Sequence, residues 1–428
     1  MEYLERKLFD ELIKWMDRRE IIAIKGPRQS GKTTLLRMLR ERLILNGTNK
    51  DRIVSLSFED RELMAKFIED PRGLIRRYVD EQERSYFFID EAHYCPDLGQ
   101  KLKLAFDTFE NVKFVITGSS SLELTSRTAG DLVGRLFSFE LLPFDFEEYL
   151  SAKDNGLRRE YSERSKQVRE ALMSGHDIEI PPQDMFSNEL LRHLGDFLVF
   201  GGYPEVVKAS SDEERRIIIT NIYNTYIEKD ILAYLQITDT QAFNRLVSLL
   251  AFMTGQMLSY ENLAASSGSN YAHVRSMLDV LSQTYVVHIL TPYHRNLATE
   301  LRKSPKAYFY DTGLRSHGAK NFNGIDDRED IGHLAENHVH NALLRSFETF
   351  NYWRTAGKAE VDFVVPVGDT IVPIEVKFQN LKGPEMTRSL HSFIDAYKPK
   401  HAVVVTKDLW AKREVGETTV YFIPIVYF

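Results

Sequence analysis

Eight consecutive residues, Gly26-Pro27-Arg28-Gln29-Ser30-Gly31-Lys32-Thr33, satisfy G-x-x-x-x-G-K-T at every position. An apolar run precedes them and a helical pattern follows, which is the context this motif requires. Its glycines let several backbone N–H groups converge on one phosphate chain, and the start of a helix adds positive potential. Lys32 is placed to reach β- and γ-phosphates, the Thr33 hydroxyl to ligate Mg²⁺, and Thr34 to extend the nucleotide-binding set. The expected ligands are ATP and Mg²⁺.

Two further segments extend this chemistry. Tyr86-Phe-Phe-Ile-Asp90-Glu91 is an apolar run ending in two acids. Asp90 suits a magnesium shell and Glu91 the polarisation of an attacking water; the simpler role for Glu91 is to cap a following helix. Val115-Ile-Thr117-Gly-Ser119 ends another apolar run, and Thr117 or Ser119 could meet the γ-phosphate or the water. Phosphoryl transfer gains from a cation on the developing charge, often supplied by a neighbouring subunit. Of Arg127 and Arg135, Arg135 is favoured, with solvation at the surface as the competing reading.

Several elements must position these residues. Apolar runs at Ile21–Ile24, Ile53–Phe58, Tyr86–Ile89 and Val112–Ile116 alternate with helical stretches such as Thr33–Leu43 and Gly99–Phe109. This rhythm predicts α/β architecture with a parallel sheet covered on both faces. Ser151–Gln183 is dense in charge and reads as a mobile insertion. Over 241–315, Ser259 and Ser269 are expected to cap two short helices before strands at Tyr285–Leu290 and Lys306–Tyr310, a winged-helix pattern. Seven Lys/Arg oppose four acids there. Arg275, Arg295, Arg302, Lys303 and Lys306 are therefore the expected DNA contacts. The presumed recognition helix is poorly basic, so recognition should follow DNA structure rather than sequence. A winged helix used for protein contacts is the alternative.

The last hundred residues return to α/β, with strands expected at Ala359–Val365, Ile371–Phe378, Ala402–Thr406 and Val420–Ile425. In Glu360-Val-Asp362-Phe-Val-Val and Ile374-Glu375-Val-Lys377-Phe378, period-2 alternation puts Asp362, Glu375 and Lys377 on polar strand faces. Adjacent pairing would gather them. Two carboxylates can hold Mg²⁺ or Mn²⁺, a lysine can orient water, and Glu336 on a preceding helix could complete the metal shell.

The ordered set Gly26–Thr33, Phe87–His93, Thr117–Ser121, Gly134–Arg135 and Leu142–Tyr149 resembles the AAA-type archaeal and bacterial ATPases with a C-terminal domain of unknown function. Phe200–Glu205, Tyr226–Ile231 and Lys306–Leu314 also fit. The resemblance implies that Pro204 lies near the adenine. It also implies a homo-oligomer, a hexameric ring among its forms, with sites at subunit boundaries. No lid arginine clearly matches the usual second sensor; Arg192 is the nearest. Asp362-x12-Glu375-x-Lys377 resembles the PD-(D/E)xK nuclease fold, although Val361 replaces the leading proline. The implied layout is an AAA-type ATPase core (1–145), a helical lid (146–235), a winged-helix domain (236–318) and a restriction-endonuclease-like domain (319–428).

Bulk properties narrow the partners. No apolar run approaches the ~20 residues of a membrane helix, and the N-terminus lacks a signal peptide's core. One cysteine fits a cytoplasmic protein. A net charge of −7 leaves DNA binding to local basic surfaces. The leading expectation is an ATP-hydrolysing motor that processes branched or structured DNA. The alternatives are a nucleotide-gated signalling or scaffold ATPase without nucleic acid, and a metal-dependent nuclease regulated by ATP.

Overall fold

Five short apolar runs become the strands of one sheet: β1 (Ile21–Lys25), β2 (Ile53–Ser57), β3 (Ser85–Asp90), β4 (Val112–Gly118) and β5 (Leu136–Glu140). Their order is β2-β3-β4-β1-β5, and every neighbouring pair is parallel. The structure is a computed structural model and describes residues 3–80, 82–118, 128–181, 184–226, 239–293 and 304–428. Its contacts form two units. One contains Met1–Phe144, Tyr203–Glu205 and Val280–Val286; the other contains Asp145–Gly202, Val206–Asp279 and Val287–Phe428.

A parallel sheet must be covered on both faces, and strand alternation achieves this in the first unit. Ile21, Ala23, Phe87, Ile89, Phe114 and Ile116 enter one core. Ile22, Ile24, Tyr86, Phe88 and Val115 enter the other. Helices α1 (Lys7–Trp15) and α2 (Lys32–Leu45) supply Leu12, Leu35 and Leu39 to the second core. Helices α3 (Arg61–Glu69), α4 (Pro71–Arg76) and α5 (Leu98–Thr108) supply Phe67, Ile75 and Leu102 to the first. Cys95, the sole cysteine, is buried there, and burial pushes its thiol up to about 11. Strand β5 was not expected; it is a half-buried edge strand whose apolar run is short.

The second unit opens with helices α6 (Phe146–Lys153) and α7 (Asn155–Ser174). The stretch expected to be a mobile insertion is largely helix. Asp154 caps α7, and Leu157, Tyr161, Ser165, Val168 and Leu172 recur at three- and four-residue intervals on its buried side. Helices α8 (Ser187–Phe200), α9 (Asp212–Ile222), α10 (Thr240–Phe252), α11 (Tyr260–Ser267) and α12 (Tyr271–Gln283) follow. Ser259 caps α11 as expected, accepting from the Asn262 N–H. At α12 the expected cap Ser269 is replaced by Asn270, whose side chain accepts from the His273 N–H at 2.9 Å.

Strands β6 (Val287–Leu290) and β7 (Lys306–Phe309) pair antiparallel. Helices α13 (Thr312–Gly318) and α14 (Ile331–Ser346) lead into a mixed sheet of β8 (Asn351–Arg354), β9 (Glu360–Val367), β10 (Thr370–Lys377), β11 (His401–Thr406), β12 (Ala411–Val415) and β13 (Thr418–Pro424). Its order is β12-β13-β11-β10-β9-β8. Helix α15 (Arg388–Tyr397) packs Leu390, Phe393 and Ile394 against Trp353, Val361, Val404 and Phe422.

Candidate functional site

The loop between β1 and α2 curls because its glycines adopt conformations that other residues resist. Gly26 has φ 151° and Gly31 has φ 99°. A Cβ on Gly26 would lie 2.1 Å from the Leu141 carbonyl oxygen, so only glycine fits there. No side chain caps α2, which leaves the N–H groups of its first turn open to an anion. Ser30 Oγ is buried without a hydrogen-bond partner. The Lys32 ammonium donates to the carbonyls of Gly26 (2.9 Å) and Pro27 (2.7 Å). Burial pulls its pKa down to about 8, against the opposing pull of Glu91 and Asp90. An open row of N–H donors, an unpaired hydroxyl and a desolvated lysine fit a polyphosphate.

Strand β4 lies between β1 and β3 and carries Thr117 beside Asp90, the last residue of β3, and Glu91 after it. Thr33 Oγ1 donates to Asp90 Oδ2 at 2.7 Å, and Thr117 Oγ1 donates to Asp90 Oδ1. The Glu91 N–H donates to Thr117 Oγ1 at 3.1 Å. Thr33 and Asp90, already in contact, are the pair that would hold Mg²⁺.

Glu91 does not act as a helix cap; its side chain makes no cap hydrogen bond to the following turn. Its backbone is left-handed, φ 50°, a strained conformation for a residue with a Cβ. Glu91 Oε2 lies 3.1 Å from His93 Nδ1. Burial pushes the Glu91 carboxyl up, but His93, Lys32 and Arg28 outweigh it and hold the group below its ordinary value. Glu91 is thus a partly buried, ionised carboxylate one residue from Asp90. His93 was given no role from the sequence, although it stands only two positions after Glu91.

Arg6 was also missed, because nothing in its spacing announces it. Its guanidinium is buried, donating to the carbonyls of Ser30 (2.6 Å) and Leu142 (2.7 Å), and it stacks over Phe144. A Cβ on Gly31 would lie 3.5 Å from Arg6 Nη1 and 3.8 Å from Pro204 Cγ, which locates Pro204 beside the loop. Arg28 reaches Tyr94 Oη at 2.9 Å. Arg135 is held by Asp107 of the same chain, Nε to Oδ1 at 3.0 Å. Ser119 and Arg127 lie outside the described residues.

Residues 18–150 match an AAA domain. The loop, the parallel sheet, Asp90 and Glu91 all fall inside the matched residues. Beyond it, residues 191–324 and 331–428 match two domains of unknown function, DUF8612 and DUF4143. An uncharacterized protein of Haemophilus influenzae is 25% identical over 423 residues, covering 96% of this chain and 95% of its own length. One from Mycobacterium tuberculosis is 27% identical over 399 residues, covering 91% and 77%. Among solved structures, Drosophila ORC bound to DNA aligns with 73% of this chain and 94% of its own at 12% identity and a TM-score of 0.32. Domain III of the Thermotoga maritima replication initiation protein DnaA aligns with 51% and 94% at 14% identity and a TM-score of 0.29. These scores are too low to carry an argument about function.

In the second unit, β9 and β10 are neighbours with Phe363 opposite Ile374, which brings Asp362, Glu375 and Lys377 together. Asp362 Oδ2 accepts from the Val376 N–H at 2.8 Å. Glu375 accepts from Lys377 Nζ (2.9 Å) and Thr387 Oγ1 (2.6 Å). Burial raises the Glu375 carboxyl above its ordinary value, with Lys377 opposing. Glu336 of α14 accepts from Tyr308 Oη (2.5 Å) and Lys306 Nζ (3.3 Å). Burial lifts it to about 7 against the pull of Lys306, and Asp362 raises it further. Among the described residues, no group of three or more His, Cys, Asp or Glu is placed to hold a metal ion. Asp362 nevertheless lies near enough to Glu336 and Glu375 to raise both carboxyls.

Of the expected DNA contacts, Arg275 on α12 is exposed. Arg295, Arg302 and Lys303 lie outside the described residues. Lys306 is a correction: its side chain is 1% exposed, and its ammonium pairs with Glu336 and Glu360, so no phosphate can reach it. Among the described residues, no helix is long and apolar enough to cross a membrane.

Proposed function

We propose that this chain is an AAA-type ATPase that hydrolyses ATP and uses the cycle to bind and process DNA, structured or branched rather than of defined sequence. The observation that carries the catalytic half is the hydrogen-bonded line Thr33–Asp90–Thr117 with the ionised Glu91 beside it. Lys32 leaves its loop carbonyls for the β- and γ-phosphates. Thr33 and Asp90 hold Mg²⁺, which neutralises phosphate charge when bound. Glu91 orients and polarises the attacking water, and Thr117 fixes the Glu91 backbone. Arg135, released from Asp107, completes the site of a neighbouring subunit in a homo-oligomer, a hexameric ring being the symmetric form.

Support for nucleic acid comes from the second unit. Arg275 is exposed, and a cleft of about 500 Å³ is lined by Arg245, His317 and Lys320 with Tyr223 and Phe252. Its described lining includes no carboxylate. Such a surface suits phosphates and stacked bases. A second reading, a nucleotide-gated switch without nucleic acid, is favoured by the net charge of −7 and by the burial of Lys306.

Phosphate release measured with duplex, forked and four-way DNA, alongside Lys32→Ala and Glu91→Gln, separates the two readings. Salt-sensitive stimulation by one of these structures, abolished in both variants, is expected. Turnover indifferent to every DNA would leave the switch reading.

A further inference from the structure

We propose that the acidic centre formed by Glu336, Asp362 and Glu375 already contains its cation, the ammonium of Lys306, and takes no divalent metal. The PD-(D/E)xK resemblance implies a metal there, and the side chains do not fit one. Lys306 projects from β7 into the centre with its Nζ 2.8 Å from Glu360 Oε1 and 3.3 Å from Glu336 Oε1. The ring of Tyr352 lies 5.2 Å from the same nitrogen. An ammonium this buried must be paired, and these groups pair it.

Four of the six carboxylate oxygens that a metal would draw on already hold a hydrogen bond or an ion pair. Glu336 Oε1 takes Tyr308 Oη and Lys306, and its Oε2 faces Gly255, where even a Cβ would come within 2.9 Å. Asp362 Oδ2 holds the Val376 N–H, while Thr387 and Lys377 divide the two oxygens of Glu375. Charge is also nearly balanced without a metal, four carboxyl groups meeting three cations. Glu336, Glu360, Asp362 and Glu375 face Lys306, Lys377 and Arg354, which binds Glu360 Oε2 at 2.6 Å. A dication would overcompensate the single charge that remains. It would also need several oxygens at about 2.0–2.6 Å, and most of those here already serve other partners.

The centre is therefore a metal-free anchor joining β7, α14, β9 and β10, and a domain with the nuclease arrangement does not cut by metal-assisted hydrolysis. This inference does not depend on ATP turnover, so its test is made without nucleotide. Free Mn²⁺ is followed by electron paramagnetic resonance as full-length protein is titrated, for wild type, Asp362→Asn, Lys306→Met and Lys306→Met/Asp362→Asn. Wild type and Asp362→Asn should behave alike. Lys306→Met should bind Mn²⁺ roughly tenfold or more tightly than wild type, and the added Asp362→Asn should remove that gain. Should Lys306→Met not fold, Lys306→Met/Glu360→Gln restores charge balance, keeps the three expected ligands and carries the same readout. Mn²⁺ bound by wild type and lost in Asp362→Asn would overturn the proposal. So would a folded Lys306→Met, or folded Lys306→Met/Glu360→Gln in its place, with no gain, because lysine would then exclude nothing.

Discussion

Glu91 combines three properties that one side chain rarely shows together: a left-handed backbone, partial burial and a carboxyl held ionised by His93, Lys32 and Arg28. Glutamine preserves the shape and removes the base. Glu91→Gln should therefore lower turnover roughly 10²–10⁴-fold while a fluorescent ATP analogue still binds with wild-type affinity. Single-turnover hydrolysis and nucleotide titration check the two halves of that statement. An equal loss in both would assign Glu91 to binding rather than to chemistry. The loop and the acid pair were legible in the sequence because phosphate binding restricts residue types over a short span. His93 and Arg6 were not, because their roles come from contacts with Glu91, Ser30 and Leu142 that no local spacing encodes.

At the scale of elements, Asp330 just ahead of α14 holds two buried guanidinium groups. Arg328 donates to it at 2.8 and 2.9 Å, and Arg315 of α13 also binds it. The arginine side chains are 0% and 1% exposed. Partial burial alone would raise the Asp330 carboxyl, but the two arginines outweigh it and hold the group far below its ordinary range. The folded state thus keeps Asp330 ionised while the unfolded chain takes up a proton near pH ~3.9. The stabilisation is fully present above that pH and is lost as pH falls. Asp330→Asn should cost about 3–5 kcal/mol at neutral pH. In urea unfolding, the gap between wild type and variant should narrow on acidification; a constant gap would remove the charge argument.

Most strands of both sheets were readable because alternation and short apolar runs survive without tertiary context. The edge strands β5, β8 and β12 were not. Strand β12 reads Ala-Lys-Arg-Glu-Val, a charged run that blunts an exposed edge but carries no apolar signal. Helix α7 was misread for a related reason. Its charge density masks a narrow stripe of Leu157, Tyr161, Ser165, Val168 and Leu172, and only that stripe is buried.

At the scale of the whole molecule, the proposed oligomer makes a kinetic demand. Arg135 is occupied by Asp107 within its own chain, so it serves a neighbour only when subunits meet. Turnover per subunit should rise with protein concentration and level off on assembly. Arg135→Ala should flatten that curve at the low value without weakening ATP binding. A steep rise in Arg135→Ala would give the role to another residue. Charge places a second demand, since a chain of net −7 must present any DNA surface locally, the role proposed for the Arg245–Lys320 cleft.

Cys95 is the sole thiol of the chain, buried in the first core and poorly ionised near neutral pH. Maleimide dyes react with exposed thiolates, so the wild-type protein is already a silent background for labelling. Paired cysteines introduced on exposed positions of the two units, Leu45 and Met173 for instance, would carry donor and acceptor fluorophores with no native cysteine to remove. The distance between the units could then be followed through the nucleotide cycle in otherwise native protein.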